Sequence, residues 1–245
     1  MFYTIFPQWP LIKPGFKRIA RFAPLIGIFI GFLQSFSWLF LRYFNWPNIS
    51  AALISIGINI LITGGLHVDG LMDTADGIGA GPTKRIEAMK DSRVGAIGVQ
   101  SLVIILMIQI AAIVKLDFYA PIAFPLAAFW GRFSQIFAIG SYKYIFKNES
   151  KSIHKKYWKG LSKEIRPSLI AICLGIIFFL FPTIINISTI FLLISCLLSG
   201  VIPSILIPYF INKSLGGHNG DSYGAGLVIT ETTHLLILSI ILVPN

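Results

Sequence analysis

Apolar residues run through this chain in long unbroken blocks, parted by short polar stretches rich in glycine, lysine and arginine. A helix needs about 20 such residues to cross the hydrocarbon core of a bilayer. Seven spans are expected, at about Phe22–Tyr43, Ile49–Leu66, Val94–Val114, Phe118–Gly140, Ser168–Ile187, Thr189–Ile211 and Tyr223–Val243. The blocks are continuous rather than alternating, which argues against a β-barrel. The expected fold class is therefore all-α: a polytopic transmembrane helical bundle of about seven spans, forming a single domain over residues 1–245. Residues 1–21 set Trp9, Lys13, Lys17, Arg18 and Arg21 among apolar side chains. That mixture predicts an N-terminal segment lying at the membrane interface, and it lacks the order of a cleaved signal peptide.

Composition agrees with the pattern. The chain is 55% hydrophobic and 12% charged, with a mean hydropathy of +0.78. A soluble domain carries about twice that charge fraction. The distribution of Lys and Arg then sets orientation. Of the 20, 17 fall on one side of the expected topology and two, Arg42 and Lys115, on the other, while Arg132 lies inside a span. The basic side is expected to be cytoplasmic. The net charge of +10 follows from this asymmetry and from contact with anionic lipid, so nucleic-acid binding is not expected. The basic run from Lys143 to Arg166 reads as a loop seated on membrane lipids. Cys173 and Cys196 fall in separate spans and read as small hydrophobes, not as a disulfide or metal pair.

One stretch breaks the apolar pattern. Residues 66–81, LHVDGLMDTADGIGAG, bring Asp69, Asp73 and Asp76 to the edge of the second span on the basic side. The acids stand at i, i+4 and i+7, so on a helix they share a face. Three carboxylates that close repel one another, and a divalent cation relieves the repulsion. Oxygen-only ligands suit a hard ion such as Mg²⁺ or Mn²⁺, and no CxxC or HxxxH pair points to zinc. Gly64, Gly65, Gly70, Gly77, Gly79 and Gly81 surround the acids, and their missing side chains would admit a phosphate ligand. The alternative is an ordinary solvated helix start, where acids are favourable in their own right.

Two more stretches fall on the same side. In MKDSRVGAIG, Lys90, Asp91 and Arg93 stand at the mouth of the third span. Lys and Arg beside a Mg²⁺ site grip phosphates; the plainer reading is a topological anchor with a helix cap at Asp91 or Ser92. GGHNGDSYGAG places Asn219 and Asp221 at the start of the last span, where the plainer reading is a flexible turn with Asp221 as N-cap. The candidate active-site segments are thus 64–98 and 212–226. Within the spans, Arg132 and Glu231 are expensive to bury, and pairing or function is their default role.

The three stretches resemble, in order and spacing, the signature segments of the cobalamin synthase family, the adenosylcobinamide-GDP ribazoletransferases. The resemblance covers essentially the whole chain. It implies a polytopic, Mg²⁺-dependent transferase. Such an enzyme joins adenosylcobinamide-GDP to α-ribazole, or its 5′-phosphate, giving adenosylcobalamin or its phosphate and GMP. The family's acidic positions map onto Asp69, Asp73, Asp76, Asp91 and Asp221. Val68 and Met72 replace the usual Leu and Ala, Asn219 stands where Thr is usual, and Val228 stands where many members carry a carboxylate. The resemblance implies Asp69, Asp73 and Asp76 as metal ligands and catalytic groups. One acid or His67 takes the hydroxyl proton, and Lys90, Asp91, Arg93, Asn219 and Asp221 bind substrate. It also implies an inner-membrane location with the site facing the cytoplasm. A homo-oligomer, or contact with other corrinoid-pathway enzymes, is the further association considered.

Two other classes stay open. A CDP-alcohol phosphotransferase also opens its acid cluster with Asp-Gly, but needs Ala-Arg soon after; here Leu71-Met72 follows, and no Arg appears before Arg85. A divalent-cation transporter would place its acids near mid-membrane in broken helices.

Overall fold

The computed structural model describes residues 18–145, 158–180 and 187–243. Half of the basic 143–166 run and most of the N-terminal segment lie outside these residues; of the latter, a 3₁₀ turn at Ile19–Phe22 is described. The described structure is helical, with no named strand. The helices are α1 Ala23–Tyr43, α2 Asn48–Ile62, α3 Leu66–Gly79, α4 Arg85–Ala88, α5 Ala96–Leu116, α6 Ala120–Ser141, α7 Leu161–Glu164, α8 Arg166–Leu180, α9 Ile187–Leu215 and α10 Gly220–Ile241.

Four stretches are long and apolar enough to cross a membrane: Ala20–Tyr43, Ala96–Ser141, Ile190–Leu215 and Gly220–Ile241. The pair α2 and α3 makes a fifth if its two arms, bent by 90°, are one span. The count of seven is therefore not reproduced among the described residues. The expected second span is shortened to the 15 residues of α2, which ends in a turn where Gly64 and Gly65 take left-handed φ of 63° and 70°. The Gly65 amide reaches back to the Ile60 carbonyl at 2.9 Å, a glycine-terminated helix end. Of the expected fifth span, the described part is a helix of 15 residues, and residues 181–186 lie outside the described ones. The expected third and fourth form one 46-residue stretch, interrupted by a 3₁₀ turn at Asp117–Tyr119. That stretch doubles back: Gln109 of α5 donates to Thr232 at 2.9 Å, and Arg132 of α6 donates to the neighbouring Glu231 at 2.9 Å.

α10 is the hub, with 14 of its 22 residues buried. α1 lies against α6 through Gly27 and Gly31, where an added Cβ would run into the backbone of Ala128 and Pro125. This is the small-xxx-small contact by which helices approach closely in lipid, where apolar burial gives little drive for association. The apolar core gathers Trp38, Ile56, Ile113, Leu116, Phe124 and Leu238 between α1, α2, α5, α6 and α10. Large apolar side chains on α1 such as Phe29, Phe32 and Phe36 point outward, as lipid-facing residues do. Both cysteines are free.

Candidate active site

The 90° bend lays α3 across the end of α2, and the acid-bearing helix packs against α5 and α10. Its inner side is His67, Gly70, Leu71, Thr74 and Gly77, all buried. Gly70 meets the α10 backbone so closely that a Cβ there would stand 2.5 Å from the Asp221 carbonyl oxygen. Gly224 meets His67 in the same contact, with 3.2 Å for the corresponding atom. Gly77 and Gly79 lie against Met89 and Ile97. These glycines, read from the sequence as openings for a ligand, serve helix packing in the structure.

This packing brings three of the expected acids together and turns one aside. Asp69 is exposed and Asp73 half-buried. Partial burial, then the charges of Asp69, Asp221 and Asp76, push the Asp73 carboxyl up to about 6. Asp221, on the first turn of α10, accepts from Asn219 Nδ2 at 2.7 Å. Asp76 faces the other way: its Oδ2 accepts from the Gly95 amide and its Oδ1 from the Gly98 amide, both at 2.8 Å. It thereby caps α5 from a neighbouring helix, and the caps expected from Asp91 or Ser92 are not used. The N-cap residue of α5 is Gly95.

Lys90 and Arg93 follow α4 in a turn and do not share a helical face. Arg93 closes on Asp91, with Nη2 2.7 Å from Oδ2. The guanidinium hydrogen bond holds Asp91 down to about 2. Both side chains remain open, at 88% and 36% exposure. Arg85 donates to the Ser214 carbonyl at the end of α9, joining this turn to the 212–226 segment.

That segment is built, not flexible. Asn219 rather than Asp221 caps α10, accepting from the Ser222 amide at 2.9 Å, while Ser222 Oγ accepts from the Asn219 amide at 2.8 Å. The reciprocal pair is a capping box, and the Asn-x-x-Ser spacing was its signal in the sequence. His218 is buried between the rings of Tyr142 and Tyr223, at 5.3 and 5.5 Å. Two backbone hydrogen bonds tie it to the end of α6: Ile145 to the His218 carbonyl at 2.8 Å and His218 to the Lys143 carbonyl at 2.9 Å. Burial lowers the His218 pKa to about 4, so the ring is neutral at physiological pH. Nothing in the local pattern marked Tyr142, because its partner His218 lies far along the chain.

His67 lies two residues from Asp69, on the opposite side of α3. It lines a small pocket with Asn59, Thr63, Gln109 and Glu231. Burial, with Arg132 adding to it, lowers its pKa to about 3.

Among the described residues no three Asp, Glu, His or Cys side chains stand close enough to hold a metal ion unaided. The donors at Asp69, Asp73 and Asp221 still suit a hard cation. Mg²⁺ is commonly held by one or two carboxylates, waters and substrate phosphates, not by a full protein cage. Burial first, and then the charges of Asp69, Asp221 and Asp76, raise Asp73, and a cation beside it relieves the second of these.

The model of the cobalamin-5-phosphate synthase family matches residues 1–239. A Prochlorococcus marinus protein named adenosylcobinamide-GDP ribazoletransferase is 51% identical over 99% of this chain and 93% of its own length. A relative of the same name from Trichormus variabilis is 33% identical over 98% of this chain and 94% of its own. No solved structure matches. The chain belongs to the cobalamin-5-phosphate synthase family.

Proposed function

We propose that this membrane enzyme joins adenosylcobinamide-GDP to α-ribazole or its 5′-phosphate, with release of GMP. Family membership and the relatives' shared name support this reaction over the phosphotransferase and transporter alternatives. The observation that carries the site is the meeting of Asp69, Asp73 and Asp221 across the glycine contact of α3 and α10. The reaction face is assigned to the cytoplasmic side of the inner membrane. Support comes from the 17-to-2 division of Lys and Arg and from the contact of two basic-side segments through Arg85 and Ser214.

In the transfer, the ribazole 3′-hydroxyl oxygen forms a bond to the phosphorus that carries cobinamide. The bond from that phosphorus to GMP breaks, and the hydroxyl proton passes to a base. Asp69 and Asp73, with Asp76 anchoring their helix, are the residues that would hold Mg²⁺. The ion when bound neutralises the diphosphate and the charge gathering on GMP. Arg93 exchanges its exposed partner Asp91 for a pair of diphosphate oxygens, which its planar fork fits. Lys90 adds a point charge beside it. Asn219 and Asp221 line the α10 side. A carboxylate of the acid group is a better proton acceptor than His67, which is buried, neutral and turned away from Asp69.

Purified protein in nanodiscs, given adenosylcobinamide-GDP, α-ribazole and Mg²⁺, is expected to release GMP only when α-ribazole is present. No release under these conditions, from correctly inserted protein, overturns the assignment.

A further inference from the structure

The pocket beneath α3 lies outside the acid group. It is walled by apolar side chains of α2, α3, α5 and α10, among them Ile56, Leu106, Leu227 and Val228, and its polar groups are Asn59, Thr63, His67, Gln109 and Glu231. Its volume is about 30 Å³. That is well below the roughly 150 Å³ that takes a benzene ring, yet enough for one or two waters at about 10–15 Å³ each. Polar partners are at hand. Asn59 Oδ1 is buried with no hydrogen-bond partner among the described residues, while the Asn59 side chain also bonds Glu231. Gln109 is 8% exposed, and its Nε2 is spent on Thr232. Glu231 Oε1 is spent on Arg132. The lining is mostly apolar, and a water there takes its partners from Asn59 Oδ1, Gln109 and Glu231.

The location gives this water a task. Thr63 and His67 flank the Gly64–Gly65 turn, and Val68 precedes Asp69. Irregular backbone at membrane depth is tolerated where protein buries it or where it lines a wet cavity. Bridging water here ties the bend to Gln109 of α5 and Glu231 of α10. We propose that the pocket is a resident water site and that Asn59 and Gln109 are positioning residues, holding α3 and its aspartates in register through that water. The proposal rests on α3 carrying the reaction site.

Radiolytic hydroxyl labelling detects bound water without substrate. In the wild-type protein, pocket-lining Leu227 and Val228 are expected to label severalfold faster than Ile136 and Leu238. All four are buried, and only the first two line the pocket. Gln109→Leu removes a polar partner at similar volume and leaves the Arg132–Glu231 pair in place. It is expected to abolish the fast labelling and to lower turnover about tenfold, within the range up to about a hundredfold that small misplacements produce. KM is expected to stay unchanged, while loss of the Gln109–Thr232 hydrogen bond lowers the unfolding midpoint modestly. Should this variant fail to insert, Asn59→Leu makes the same test. Equal labelling of pocket and control residues overturns the proposal, as does wild-type turnover in a variant whose fast labelling is lost. Failure of the underlying reaction reads differently, as absent GMP release from wild-type protein whose pocket still labels.

Discussion

The first and last turns of α3 carry the same residue type to different ends. Asp69 and Asp73 look outward, and neither accepts a hydrogen bond from another described residue; the charge of Asp221 bears on Asp73. Asp76, less than two turns on, gives both oxygens to amides at the start of α5. Burial and neighbouring charge disfavour the Asp73 anion, whereas Asp76 is satisfied by backbone donors and the positive end of a helix. Spacing places three acids on a face, but what stands opposite each decides whether it is available to a ligand.

The largest separation is expected from Asp73→Asn. It removes a charged ligand at constant shape, and GMP release should fall about a hundredfold or more, the scale of several kcal/mol of charge stabilisation. Because the folded protein disfavours the Asp73 anion, the same change should not lower the unfolding midpoint at neutral pH. Asp76→Ala breaks the opposite way. Two hydrogen bonds to a charged group are lost and two amides are orphaned, so the protein should lose about 2–4 kcal/mol of stability, read from its unfolding midpoint in detergent.

Arg93→Lys sharpens the comparison from the substrate side. A topological anchor counts only charge, whereas a bidentate grip needs the fork. Weaker adenosylcobinamide-GDP binding by about tenfold, or 1.4 kcal/mol, with insertion unchanged, is the expected result. The smallest effect concerns pH. Asp73 has a folded pKa of about 6 against an ordinary 3.8. Its ionisation therefore costs stability, which should decline as pH rises from about 4 to about 6. Midpoints across that range should lose this slope in Asp73→Asn and regain stability when Mg²⁺ is added to the wild type.

The apolar blocks made the helical membrane class legible, because hydrocarbon demands continuous apolar length. They could not show that α3 turns 90° away from α2 at Gly64–Gly65, since a bend depends on φ, not hydropathy. The motif stretches were legible as one reaction face. The split of Asp76 from its neighbours was not, because Gly95 and Gly98 bind it from another helix. Arg132 and Glu231 announced themselves by their cost in a span, and they meet at 2.9 Å. Asn59 and Gln109 gave no such signal, since one neutral amide in an apolar block is ordinary until a pocket joins it to others.

The measurement that goes to the centre of the account is turnover and unfolding midpoint, taken side by side, for Asp69→Asn and Asp76→Asn in nanodiscs across a Mg²⁺ titration. The expected result is a crossed pattern: Asp69→Asn loses turnover and its Mg²⁺ response while keeping its midpoint, and Asp76→Asn loses midpoint first. Both variants falling together in turnover with unchanged midpoints, or Asp69→Asn turning over like wild type at low Mg²⁺, would contradict the division of α3 into a ligand-binding turn and an anchoring turn.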